Sequence, residues 1–156
     1  METNKLTVQA LMVGDWVKIK EPNKYAGAIG TIQSLSSLEG AYFAIYINDP
    51  NFGTFITEVF CEDIEPIPLT AEILEKNGFS ELMEHDEWSR IFRAYHDDLL
   101  IEVGIYEPMF INIGYVDKEG EEQPLCNIVK IHGENFFVHD LQHALRLCGV
   151  DKEITP

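Results

Sequence analysis

The sequence predicts a mainly β protein whose first part is all β and whose second part is α+β. Two observations carry this prediction. Short stretches in which apolar and polar residues alternate are separated by glycine and proline, which is the pattern of half-buried strands. Two stretches, near residues 70 and 140, carry the start and stop signals of helices. The apolar content of 46% and the charged content of 24% are ordinary for a globular chain of 156 residues.

The first predicted hairpin opens with the turn Gly14-Asp15 and the alternating strand Val17–Lys20. A second strand is predicted over Ala28–Leu35, with Gly27 before it and Gly30 near its start. Small barrels need glycine where a strand coils tightly. A turn, a short strand, a polar loop and Gly-x-x-Gly-x-Ile together resemble the KOW-type and related SH3-like barrels of nucleic-acid- and protein-binding modules. The resemblance implies an SH3-like β-barrel over residues 1–68 and a role in binding.

The rest of this barrel follows from composition. Tyr42–Asn48 is rich in aromatic and β-branched residues and predicts a third strand. Thr54–Phe60 predicts a fourth strand. The segment Asp63–Pro68 closes the barrel as a short or edge strand, because its two prolines cannot donate to a ladder.

A short helix is predicted over Ala71–Lys76. Thr70 precedes it as an N-cap, and a glycine at position 78 can take the left-handed conformation after its end. Phe79 can then pack back on Leu74, as a Schellman ending requires.

A second resemblance rests on the run D-I-E-P-I-P-L-T-x-E-I-L-x-K-x-G-F at Asp63–Phe79 and on Val138–Gln142. Both segments resemble those of a set of uncharacterised proteins from gut bacteria and their phages or mobile elements. The residues after Gln142 depart from that pattern. The resemblance implies an origin and supplies no activity. It also favours a strand over Trp88–Tyr95, where Trp88, Ile91 and Tyr95 fit helical spacing equally well.

The remaining elements predict a small α+β domain over residues 69–156, packed against the barrel, in which two helices cover an antiparallel sheet. Strands are predicted over Leu99–Tyr106, Met109–Val116 and Asn127–His132. An exposed acidic loop is predicted over Asp117–Glu122, and the final helix over His139–Cys148.

The net charge limits the classes of partner that the protein is expected to bind. Eleven basic and 27 acidic residues give a net charge of −16, which repels phosphate backbones and argues against nucleic-acid binding. The sequence contains no apolar run long enough to span a membrane, we expect no secretory signal, and three widely spaced cysteines suit a reducing compartment. These features predict a cytoplasmic protein.

The candidate binding residues are aromatic. Trp16, Tyr25, Tyr42 and Tyr46 can line a groove for a peptide, as SH3-like barrels often provide. The alternative is that several of them fill the barrel core, which has few other large side chains.

A metal site is the candidate chemistry in the last helix. His139 and His143 are four residues apart and face one side, so they can share a metal with a third ligand from His132 or Asp140. The alternative is that His139 and Asp140 satisfy free backbone N–H groups at the helix start.

The other motifs are weaker indications of a functional site. His96-Asp97-Asp98 either binds a cation or forms a tight turn, and the three cysteines are expected to be inert thiols. We therefore expect no catalytic residue and no cofactor. The leading hypothesis is a non-enzymatic cytosolic adaptor that binds a protein partner, in a phage or mobile-element context. An acidic DNA mimic that inhibits a DNA-binding enzyme and a His-based metalloprotein are the alternatives.

Overall fold

A computed structural model describes residues 11–36, 42–82, 90–106, 109–130 and 134–156. The chain divides into two compact units, residues 1–67 and 68–156. The protein is mainly β, with a curled antiparallel sheet in the first unit and a second antiparallel sheet with a short C-terminal helix in the second unit. Within the ranges given above, no helix is long and apolar enough to cross a membrane.

The sheet of the first unit has five antiparallel strands in the order β4-β3-β2-β1-β5. The strands are β1 (Trp16–Ile19), β2 (Ile29–Ser36), β3 (Tyr42–Asp49), β4 (Gly53–Phe60) and β5 (Ile64–Pro66). A 3-10 turn, Cys61–Asp63, links the last two. The sheet curls into a half-barrel, which agrees with the predicted SH3-like barrel.

The inner face of this sheet forms the core of the first unit. Its apolar side chains alternate along each strand, as in Phe43, Ile45 and Ile47 of β3, all of which are fully buried. Gly30 of β2 shows why the sheet needs a glycine, because a Cβ there would lie 2.5 Å from the carbonyl oxygen of Tyr46. The two strands can therefore approach only if this position has no side chain.

The sheet of the second unit is also antiparallel, in the order β10-β9-β8-β7-β6. The strands are β6 (Ser80–Glu81), β7 (Ile91–His96), β8 (Leu99–Gly104), β9 (Met109–Val116) and β10 (Glu122–Lys130). One face carries buried apolar rows, such as Ala94, Ile101 and Ile113 at paired positions of β7, β8 and β9. Helix α2 packs against β9.

Two strand predictions have instructive outcomes. The strand expected from the resemblance is confirmed over Ile91–His96, whereas Trp88 lies outside the described residues. The predicted start of the last strand at Asn127 is wrong, because β10 already begins at Glu122. Pro124 and the acidic residues before it indicate a loop, but β10 is an edge strand with a bulge after Pro124, a place where a sheet tolerates proline.

Helix α1 (Ala71–Lys76) forms as predicted. The Thr70 hydroxyl accepts the N–H of Ile73 at 3.4 Å, and Gly78 adopts a φ of +83° after the last turn. The N–H of Phe79 donates to the Leu74 carbonyl at 3.0 Å, which is the long hydrogen bond of a Schellman ending. Local signals alone thus define this helix.

Helix α2 (Val138–Leu147) buries one stripe of side chains, among them Leu141, Ala144 and Leu145. Asp140 caps its first turn, because its carboxylate accepts the backbone N–H of Phe137 at 2.8 Å. Gly149, with a φ of +72°, follows the helix, as its sequence position predicts.

Two side-chain amides hold the segment 150–156, which is neither helix nor strand. Gln142 of α2 accepts the Ile154 N–H at 2.8 Å and donates to the Lys152 carbonyl at 2.9 Å. Asn77, at the end of α1, accepts the Thr155 N–H at 3.0 Å. Side chains of α2 and of the residue that ends α1 therefore satisfy the Lys152 carbonyl and the N–H groups of Ile154 and Thr155.

Candidate functional site

The structure separates the four aromatic residues that the sequence singles out. The strand register places Trp16, Thr31, Tyr46 and Ile56 in one row across β1, β2, β3 and β4. This row lies on the face opposite the buried core, which we call the outer face. Tyr42 belongs to the same outer face.

Tyr25 lies elsewhere. Its ring packs against the core of the first unit and contacts Phe55 with a centroid distance of 4.8 Å. Phe52 meets the same ring edge-on at 6.4 Å, and Lys24 Nζ lies 4.7 Å from its centroid. The structure thus brings three of the four predicted residues to one face and gives Tyr25 a role in packing.

Two further residues of the outer face are exposed and were missed in the sequence. Ile56 is 63% exposed and Phe60 is 43% exposed. The Phe60 ring packs on Tyr42 with a centroid distance of 4.2 Å, and Ile56 pairs with Tyr46. The signal that could have found them is the alternation along β4, where Val59 points to the core and its neighbours therefore point outward.

β4 is an edge strand. Its eight residues pair with β3 on one side, and within the described residues no strand pairs with its other side. The opposite edge strand, β5, has three residues and contains Pro66, so it offers little to pair with. A long edge strand that carries exposed apolar side chains is a template for another strand.

The indole of Trp16 stands at the other end of the outer row. Its Nε1 is buried and finds no acceptor among the residues that the structure describes. A buried indole N–H normally has an acceptor, so this donor is the one polar group of the row that calls for a partner.

The histidine pair of α2 stays close in space. The rings of His139 and His143 lie 5.6 Å apart, and the His139 ring stacks on Phe137 at 5.7 Å. The Asp140 carboxylate is engaged with the Phe137 N–H and with Lys130. In the described part of the chain no three His, Cys, Asp or Glu side chains form a group that could hold a metal, and His132 lies outside it.

The cysteines are free thiols, each partly buried. Burial raises the pKa of Cys148, and the neighbouring thiol of Cys126 raises it further. A raised pKa leaves less thiolate at neutral pH and disfavours a nucleophilic role for Cys148.

The acidic segment His96-Asp97-Asp98 forms a turn. Asp97 and Asp98 connect β7 to β8, and Asp97 adopts a φ of +53°, which aspartate tolerates better than most residues. The prediction of a tight turn is confirmed.

A polar row that the sequence did not reveal crosses the face of the second sheet opposite its buried rows. Arg93, Glu102, Asn112 and Asn127 stand at paired positions of β7, β8, β9 and β10. Arg93 Nη2 donates to Glu102 Oε1 at 2.6 Å, and this hydrogen bond raises the pKa of Arg93. The Asn112 Oδ1 is buried, and no donor reaches it from the described residues.

Comparisons with known proteins give no relative: no family model, no curated protein and no solved structure matches the chain. The resemblance to the uncharacterised proteins of gut bacteria and phages stays a prediction.

Proposed function

We propose that the chain is a non-enzymatic protein-binding module that holds an extended segment of a partner protein along β4. The observation that carries the proposal is the edge of β4, eight residues long, with Ile56 and Phe60 exposed on its outer face. Main-chain hydrogen bonds along a sheet edge supply affinity, and alternate side chains supply specificity.

The side chains of β4 define the partner segment. Ile56, Glu58 and Phe60 alternate on the outer face, so an added strand would place three of its side chains beside them. The best complement is an apolar residue, then a basic residue, then an apolar residue, at alternate positions. Each such cross-strand pair contributes roughly 0.2–1 kcal/mol.

The charge of the chain favours a foreign segment over a second copy. A net charge of −16 on each molecule makes two copies repel one another, whereas a basic segment is attracted. The partner is therefore a protein with an exposed, extended, basic and apolar stretch. In this proposal, the adaptor predicted from the sequence binds its partner through the edge of β4.

Selection from a random peptide library tests the proposal, with the full chain as bait. We expect selected peptides to alternate apolar, basic and apolar residues. We also expect them to lose at least tenfold in affinity for Ile56→Lys, because a charge on an edge strand opposes pairing. Val129→Lys is the matched control, since Val129 is 65% exposed on the edge strand β10 and Ile56 is 63% exposed.

Peptides that bind the wild type and Ile56→Lys equally would contradict the proposal. Capture of DNA-binding proteins that moderate salt releases, whatever stands at position 56, would instead favour the acidic DNA mimic.

A further inference from the structure

Two of the three cysteines are neighbours in the second unit. Cys126 of β10 pairs with Ile113 of β9, which is fully buried, so the Cys126 side chain lies on the apolar face of the sheet. Cys148 follows Leu141 and Ala144 at helical spacing, on the stripe that α2 buries. Both are free thiols and partly buried, and they are close enough for Cys126 to raise the pKa of Cys148. The two thiols therefore meet where the helix covers the sheet.

A second contact between the same two elements explains this arrangement. Lys130 of β10 lies 2.8 Å from Asp140 in the first turn of α2. Cys126 precedes Lys130 by four residues, a distance of about 13 Å along a strand, and Cys148 follows Asp140 by eight residues, a distance of about 12 Å along a helix. Helix α2 thus runs antiparallel to β10, and nearly equal rises bring the thiols to the same level. A strand and a helix, rather than a loop, position the pair.

The pair lies at the margin of the core. β10 is an edge strand of its sheet, and the chain neighbours of the two cysteines reach solvent, since Leu125 is 53% exposed and Leu147 is 79% exposed. A small molecule can therefore approach the partly buried sulfur atoms from the edge. In a compartment that keeps thiols reduced, a disulfide at such a position forms transiently, in response to an oxidant.

We propose that Cys126 and Cys148 form a reversible disulfide by exchange with a low-molecular-weight disulfide such as oxidised glutathione. The bond ties the end of α2 to the edge of the second sheet, and reduction releases it. This inference is independent of the peptide surface on β4, which belongs to the first unit.

The exchange takes two steps. The Cys126 thiolate first attacks one sulfur of oxidised glutathione, whose S–S bond breaks and releases one glutathione thiolate. The Cys148 thiolate then attacks the Cys126 sulfur of the mixed disulfide and releases the second glutathione thiolate. The two protons lost by the protein thiols pass to the two glutathione thiolates. The protein loses two electrons, and oxidised glutathione gains them.

The environment of Cys148 sets the order of these steps. Burial and the neighbouring Cys126 raise the pKa of Cys148, so Cys148 is the poorer nucleophile toward a molecule from solution. Once Cys126 is part of a neutral mixed disulfide, its charge no longer opposes ionisation of Cys148. The second attack is also intramolecular, and proximity compensates for a small fraction of thiolate.

Equilibration with glutathione buffers tests the proposal. The full chain, folded or unfolded in urea, is incubated at set ratios of reduced to oxidised glutathione, quenched with acid and alkylated in denaturant. Peptide mass spectrometry then measures the disulfide between Cys126 and Cys148. We expect its equilibrium constant of formation to be at least about tenfold larger in the folded chain, because the fold holds the thiols together. Equal constants in the two states, or no linkage of these two cysteines in the folded chain, would overturn the proposal.

Serine variants locate the bond. Cys126→Ser and Cys148→Ser should each leave only mixed disulfides with glutathione. Cys61→Ser is the matched control, because Cys61 is also a partly buried free thiol but belongs to the first unit, and it should leave the equilibrium constant unchanged. A wild-type disulfide that contains Cys61, or one that links two copies of the chain in place of the expected bond, would also count against the proposal.

Discussion

The ammonium group of Lys130 lies 2.8 Å from Asp140 Oδ2, and this ion pair joins the end of β10 to the first turn of α2. The same oxygen accepts the Phe137 N–H, and Lys130 also donates to the Asn135 carbonyl at 2.8 Å. The Lys130 Nζ stands 4.8 Å from the centroid of the Phe136 ring. The Lys130 side chain thus contacts both the connection between β10 and α2 and the first turn of α2.

We expect Asp140→Ala to destabilise the second unit by about 1–3 kcal/mol, because it removes a helix cap and leaves the partly buried ammonium group of Lys130 without its carboxylate partner. Chemical denaturation of the full chain measures this loss. The pair Glu81 and Arg90 is the control, since its side chains are 38% and 37% exposed, against 23% and 19% for Asp140 and Lys130. Glu81→Ala should destabilise the protein clearly less than Asp140→Ala, because solvent screens an exposed ion pair. Equal losses would show that the Asp140 pair is an ordinary surface pair.

Gly30→Ala should destabilise the first unit by about 3 kcal/mol, because the new Cβ would meet the carbonyl oxygen of Tyr46 at 2.5 Å and a backbone atom yields little. Gly53→Ala separates this steric effect from backbone strain. Gly53 has a φ of +88° and open space around it, so alanine there should cost only about 1 kcal/mol. Thermal unfolding compares the two variants, and a smaller loss at position 30 would contradict the close approach of the strands.

Gln142→Leu should destabilise the second unit by about 1–3 kcal/mol, since it leaves the Ile154 N–H and the Lys152 carbonyl without partners. Hydrogen exchange should show faster exchange of the Ile154 amide in the variant. Gln33→Leu, at an exposed position of β2, should change neither quantity. Unchanged protection of Ile154 would mean that the glutamine does not hold this segment.

The Cys148 thiol should react slowly with iodoacetamide at neutral pH, because burial raises its pKa and the thiolate is the reactive form. The rate should rise at a higher pH than for a free cysteine thiol. Cys126→Ser removes one of the causes of the raised Cys148 pKa. It should therefore move the pH dependence of the Cys148 reaction rate toward that of a free cysteine thiol. Peptide mass spectrometry follows the modification, and a rate equal to that of free cysteine would refute the assignment.

Local signals decided which elements could be predicted. Helix α1 follows from Thr70 before it and Gly78 after it, residues that act within a few positions of one another. The start of β10 could not be predicted, because Pro124 is acceptable only on an edge strand and the sequence does not show which strands are edges.

The same division holds for the sites. Ile56 and Phe60 could have been found from alternation along one strand. The row of Arg93, Glu102 and Asn112 could not, because it depends on the register between strands that are joined by separate turns.

The hydrogen bonds between Asn77 and Thr155 join residues that are 78 positions apart. During synthesis, the first helix of the second unit therefore emerges long before the backbone groups that complete its C-terminal end. Until Thr155 has left the ribosome, the Asn77 amide has only water or the helix's own carbonyls to bind. The last hydrogen bonds of this unit can accordingly form only after Thr155 has emerged.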